Sequence, residues 1–271
     1  MPHIDRREFM LAAATGTAAL GLGASGAFVS TTRSARISTA LKIGMITGGS
    51  TLAEKFAIAR SAGFQGVELD APSSVTLEEL AEAKAVSDLR VIGVVDSVHW
   101  TKPLNHPNEA VREAGLAGLV RAIRDCYAWC EPAGGRTDER TVLLVPAVVN
   151  QSMPYADAWR LSIDSIATVL PLARELNVRI AIENVWNEFL LSPREAAAYV
   201  DALNQRAGAN VVGWYLDIGN IWRYGWPEHW ISTLGPRILR LDIKGYSRSK
   251  ADKEGKWAGF GVEIDEGGLD W

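Results

Sequence analysis

Cysteine and histidine are scarce, with two and four copies among 271 residues. So few cysteines exclude a disulfide-built scaffold. Cys126 and Cys130, in "RDCYAWCEP", stand four residues apart on one face of a helix, where bridging geometry is poor, so they are expected as packed thiols. A CxxxC metal pair would need a further Cys or His, and none lies nearby in the sequence. There is no run of Lys or Arg, and the formal net charge is -4, which argues against a surface built to neutralise nucleic-acid phosphates. No GxGxxG follows the first strand-like segment, since "GMITGGS" (Gly44 to Ser50) lacks that spacing, so dinucleotide binding has little support. What remains is small-molecule chemistry.

The first residues are set apart by composition. "DRREFMLAAATGTAALGLGASGAFVS" places Arg6 and Arg7 ahead of an apolar run of Ala, Gly and Leu, which resembles a twin-arginine export signal. Asp5 stands where such signals prefer Ser or Thr. An uncleaved membrane anchor is the competing reading, but a Gly-rich run makes a poor spanning helix. Small residues from Ala24 to Ala27 suit a signal peptidase. The expectation is a signal over residues 1–36, delivery to the periplasm, and no stable membrane span once the signal is removed.

Beyond Arg36 strand-like and helix-like segments alternate without a long linker. Seven strands are predicted: Leu41–Thr47, Gly66–Asp70, Val91–Val98, Val142–Val149, Val178–Glu183, Val211–Asp217 and Ile238–Lys244. In "SPREAAAYVDALNQRAG", Ser192 is the expected N-cap, Pro193 the first helical residue and Gly208 the stop. At this length the pattern predicts an α/β fold of the TIM (β/α)8 type over residues 37–271, with an open doubly wound sheet as the alternative. No eighth strand is legible between Lys244 and Trp271, so the barrel is expected to be short of one βα unit, as in a truncated form of a longer protein.

Alternation along barrel strands sorts side chains into inward and outward sets. In "VRIAIEN", Ile180 and Ile182 should face the helices and Glu183 the interior. In "VVGWYLDIGN", Val212, Trp214 and Leu216 face out and Asp217 faces in. In "ILRLDIKGY", Leu239, Leu241 and Ile243 face out, leaving Arg240, Asp242 and Lys244 inside. Three successive strands thus each deliver a carboxylate to the C-terminal end, where this fold builds its sites. Hard oxygen donors of this kind suit Mn²⁺ or Mg²⁺, with Zn²⁺ or Co²⁺ as alternatives. The competing reading is a set of core salt bridges, Asp242 with Arg240 or Lys244 and Glu183 with another base. Glu68, Asp70, His99 and Asn150 also end strands, His99 and Asn150 as candidate sugar contacts, whereas His106 and His229 have no such position.

Taken together, "VLLVPAVVN", "AIENVWNEFLLSP", "GWYLDIGNIWRYGWPEHWI" and "LDIKGYSR" resemble the sugar phosphate isomerase/epimerase family, the xylose isomerase-like TIM barrels. The resemblance implies a divalent metal held by a Glu on strand five, an Asp on strand six, a His on strand seven and a Glu on strand eight. Glu183 and Asp217 match the first two; Asp242 replaces the His, and the fourth has no counterpart. It further implies a metal-dependent isomerase or epimerase that moves a proton next to a carbonyl through an enediolate, with Glu183 as both ligand and base. Asn184, Lys244 and Arg248 join His99 and Asn150 as expected substrate contacts. The partner is a small carbohydrate; export favours free sugars, keto-sugars or glycosides, and a homo-oligomer is compatible with the sequence. A lyase or dehydratase acting on a keto-polyol or 3-keto-glycoside, and a non-catalytic sugar-binding barrel, are the alternatives. The export expectation is tested by replacing Arg6 and Arg7 with Lys: the precursor should stay in the cytoplasm on cell fractionation, and unchanged export would remove the twin-arginine reading.

Overall fold

The computed structural model describes residues 37–130 and 140–271, and the predicted signal segment lies outside them. Thr39–Trp271 forms one compact unit. Its seven strands are β1 (Ala40–Lys42), β2 (Gly66–Ala71), β3 (Arg90–Asp96), β4 (Thr141–Leu144), β5 (Arg179–Glu183), β6 (Val212–Asp217) and β7 (Ile238–Asp242). They make one sheet in sequential order, parallel throughout. Helices α1 (Leu52–Ser61), α2 (Leu77–Ser87), α3 (Glu109–Trp129), α4 (Tyr155–Glu175) and α5 (Pro193–Ala207) follow the first five strands, and α6 (Ile218–Trp222) with α7 (Pro227–Leu234) follows the sixth. The sheet curls far enough for Lys42 on β1 to reach Asp242 on β7, 2.7 Å away, so the fold is of the TIM-barrel type, with seven strands among the described residues.

Local chemistry explains the helix starts. Thr51 with Glu54, Thr76 with Glu79 and Ser192 with Glu195 each close a capping box, in which two otherwise orphaned backbone N–H groups find side-chain oxygens. Pro193 opens α5 and Gly208, at φ 61°, ends it. The main core lies between sheet and helices, where Ile180, Ile182, Val212, Trp214 and Leu216 meet buried residues of α3, α4 and α5. A second, smaller cluster of Leu143, Ala181 and Tyr215, with Val95 and Leu239 against it, fills the inner side of the sheet. Cys126 and Cys130 are free, buried thiols, with sulfurs 3.8 Å apart.

Three predicted strand features are corrected. β1 stops at Lys42 and continues as a 3-10 turn over Ile43–Met45 instead of extending to Thr47. β4 ends at Leu144, one residue before Val145-Pro146, because proline brings no N–H to a ladder. On β7, Leu239 points inward. The pairing runs Trp214 to Ile238 and then Tyr215 to Arg240, so Leu239 is an extra residue that bulges out of register. Gly213 makes room for it, since a Cβ there would stand 2.4 Å from Leu239 Cγ. Beyond the bulge Leu241 and Ile243 regain the outward side, but they are 48% and 44% exposed, not covered by helices. Gly213→Ala should therefore cost about 1–3 kcal/mol by overpacking, read as a lower urea midpoint, and an unchanged midpoint would mean that Leu239 has free space to move.

Candidate active site

The C-terminal ends of β5, β6 and β7 bring Glu183, Asp217 and Asp242 together, with one oxygen from each within 4.8 Å of the others. Register explains this meeting. Glu183 pairs with Tyr215, two residues before Asp217, and Asp217 pairs with Asp242, so the three carboxylates step along one rim. Asp217 is fully buried, Glu183 is 7% exposed, and the Asp242 side chain is 12% exposed.

Two lysines share the cluster. Lys42 Nζ lies 2.7 Å from Asp242 Oδ2 and 3.7 Å from Glu183 Oε1, while Lys244 donates to Asp217 Oδ2 and stands 3.0 Å from Asp242 Oδ2. The ion-paired arrangement that competed with a metal site in the sequence is thus present in the geometry. Burial pushes Glu183 up to about 7, against the pull of Lys42 and Lys244 and with the help of Asp217 and Asp242. Burial also opposes charge on both lysines, yet the surrounding carboxylates outweigh it and leave their pKa values raised. For Asp242 burial is overcome by Lys244 and Lys42, so its carboxyl is held below the usual range.

Behind the rim a hydrogen-bonded bracket fixes the strand ends. Asn184 Nδ2 donates to Asp217 O (2.8 Å), and its Oδ1 accepts from Asp217 N (3.0 Å) and Trp214 Nε1 (3.1 Å). Asn220 Nδ2 donates to Asp217 Oδ2 (2.7 Å) and Asn184 O (3.0 Å). The predicted contact Asn184 is therefore occupied in holding β5 to β6. Deeper inside, Tyr215 donates to Glu68 Oε2 (2.8 Å), and Gly93 leaves the space into which Glu68 reaches. Asp70, by contrast, is exposed on β2.

The other predicted contacts have varied surroundings. Lys244 lines a cavity of about 510 Å³ at the rim, together with Asn220, Trp100, Trp186, Trp257 and Phe260. Arg248 is engaged elsewhere: its guanidinium donates to Trp222 O and Gly225 O and stacks on Trp222 and Trp226 at 4.1 and 4.5 Å. Asn150 is exposed in a turn, its Oδ1 accepting from Ser152 N and Oγ. His99 is buried and accepts from Val145 N (3.4 Å) through Nδ1, which leaves the proton of the neutral ring on Nε2. The sequence reading missed Lys42, although alternation at the end of β1 would have placed that side chain inward, and it missed the Asn220 bracket, which depends on how two loops meet.

Oxygen donors this close can surround one divalent ion, because two donors at about 2.0–2.6 Å from a common centre lie up to about 5 Å apart. The carboxylate set therefore fits a divalent cation, with Glu183, Asp217 and Asp242 as the residues to hold it. The curled parallel sheet and the acidic rim at its C-terminal end define a TIM barrel with a carboxylate centre. A sequence profile of the xylose isomerase-like TIM barrel family matches residues 56–271, and the chain belongs to that family. No curated protein sequence matches it. Among solved structures it resembles a D-psicose 3-epimerase determined in the presence of D-fructose, with 18% identity, 77% of this chain and 76% of the other covered, and a TM-score of 0.57. An IolI protein with a bound zinc atom aligns at 17% identity over 78% of this chain and 74% of the other, TM-score 0.60. A 3-keto-D-glucoside 4-epimerase from E. coli aligns at 14% identity over 75% and 77%, TM-score 0.57. Among the described residues no helix is long and apolar enough to cross a membrane.

Burial lowers His99 from its ordinary 6.5 to about 4. The unfolded chain then binds the proton first, so stability is complete above about pH 6.5 and falls as pH drops towards 4, by about 3 kcal/mol at most. His99→Gln keeps an acceptor for Val145 N and should remove this share of the acid sensitivity, seen by comparing urea unfolding of both proteins at pH 7.5 and pH 5. Equal losses in both would refute the assignment.

Proposed function

We propose that the protein is a sugar isomerase or epimerase that acts on a carbohydrate or keto-sugar by moving a proton at the carbon beside its carbonyl. The observation that carries this reading is the meeting of Glu183, Asp217 and Asp242 beside the aromatic-lined rim cavity. Membership of the family supports it. So do the sugar epimerases among the structural neighbours, through the fold they share.

Glu183 is the proton carrier. Without an ion its carboxyl is pushed up to about 7 by burial, and at the C-terminal end of β5 it is placed to take a proton from the carbon beside the carbonyl and give it back. Lys244, which lines the cavity and holds its ammonium against Asp217 and Asp242, hydrogen-bonds a substrate oxygen and holds the reacting carbon against Glu183. Trp186, Trp257 and Phe260, packed ring against ring, offer apolar faces to the C–H side of a sugar and exclude water from the reacting bond. A divalent ion held by Glu183, Asp217 and Asp242 would polarise the substrate carbonyl and so ease the loss of the neighbouring proton. Residues 1–36 would carry the folded enzyme to the periplasm, which favours unphosphorylated substrates.

Exchange of the substrate proton with solvent deuterium, followed by NMR over a panel of ketohexoses and methyl 3-keto-glucoside, tests the reading. Glu183→Gln should retain the native circular dichroism and lower exchange by about 10²–10⁴-fold. Undiminished exchange in that variant would assign the proton to another group, and a released aglycone or an enone in place of an isomer would assign the protein to the lyases.

A further inference from the structure

Lys42 is the one cation in the cluster that comes from the far edge of the sheet. It sits at the end of β1, while Asp242 lies on β7, and the two strands are the unpaired edges of the curl. Its ammonium lies 2.7 Å from Asp242 Oδ2, 3.7 Å from Glu183 Oε1 and 5.1 Å from the centre of the Tyr215 ring. Two of the three carboxylates that fit a divalent ion are therefore already served by the same lysine. We propose that Lys42 is a built-in counter-ion of the carboxylate rim, and that a divalent cation enters by displacing it from Asp242.

The argument rests on space and charge. Asp242 Oδ2 already receives both Lys42 and Lys244. A cation bonded to that oxygen at about 2.0–2.6 Å would lie close to any ammonium still touching it, in surroundings with little water to screen two like charges. With all groups ionised, three carboxylates and two ammonium groups leave one negative charge, which is too little for a divalent ion to enter at no cost. Once Lys42 has moved away, one ammonium and the ion balance the three carboxylates.

Lys42 is also the lysine able to leave. Lys244 stands two residues beyond Asp242 on the same side and is tied to Asp217 as well, so it belongs to the rim itself. Both lysine side chains are partly exposed, 23% and 30%, but Lys42 reaches the rim by a flexible stem from the opposite edge of the sheet, so its ammonium can leave without moving the segment that carries Asp242 and Lys244. Two consequences follow: the fold keeps its buried carboxylates paired when no ion is bound, and the ion binds more weakly than the carboxylates alone would allow. A purely structural ion pair would share the first consequence but not the second.

Calorimetric titration with Mn²⁺ and thermal melting in EDTA separate these roles without any assay of activity. Lys42→Met should bind Mn²⁺ about tenfold or more tightly and melt at a lower temperature than the unaltered protein in EDTA, whereas Lys42→Arg should keep the weaker affinity. In the unaltered protein, acetylation with acetic anhydride read by mass spectrometry should modify Lys42 faster when Mn²⁺ is present, so the proposal can be tested even if Lys42→Met does not fold. Equal Mn²⁺ affinity of the unaltered and Met proteins, or Lys42 labelling indifferent to Mn²⁺, would overturn the proposal while leaving the proton-transfer role of Glu183 intact. If neither protein binds Mn²⁺, the proposal falls together with the metal part of the functional reading.

Discussion

Burying carboxylates at the mouth of an apolar sheet is the constraint around which this structure is arranged. An uncompensated buried carboxylate costs several kcal/mol, and the rim holds three, of which Asp217 has no exposure at all. The fold answers with cations from both sides: Lys244 from the segment just beyond β7, and Lys42 from the opposite edge. Burial outweighs the lysines at both Asp217 and Glu183 and raises their pKa values, that of Glu183, whose lysine stands 3.7 Å away, up to about 7. The same imbalance suits a group that must take up and release a proton.

The rest of the site is scaffolding for that charge arrangement. Asn184 and Asn220 spend their amides on Asp217 and on each other, which fixes the strand-six carboxylate and lets its position follow from the backbone. Arg248 is part of the frame as well, clamped between Trp222 and Trp226 and tied to two carbonyls behind the rim. Its stacking consolidates the segment that follows β6, while the aromatic wall of Trp186, Trp257 and Phe260 shapes the cavity that a substrate would enter.

An ion-paired rim and a metal site are commonly weighed as alternatives, yet here the same carboxylates serve both. Donor oxygens within 4.8 Å fit a divalent ion, and the ammonium groups pair with the same carboxylates. Asp242, at the position where the resemblance implies a His, adds one negative charge to the rim, and both Lys42 and Lys244 contact it.

The sequence by itself determined the alternation of strands and helices, three capping boxes, the Pro193 start and Gly208 stop of α5, and the inward aim of Glu183 and Asp217. Each follows from neighbours a few residues away: a hydroxyl and a carboxylate three positions apart, or the twofold period of an extended chain. The period failed at β7, where a bulge turned Leu239 inward, because a register slip is set by the partner strand and by the space that Gly213 leaves in it. Only the tertiary structure decided which charges meet. Lys42 lies 200 residues from Asp242 and Glu68 lies 147 from Tyr215, so those contacts exist only once the sheet has curled and brought its two edges together.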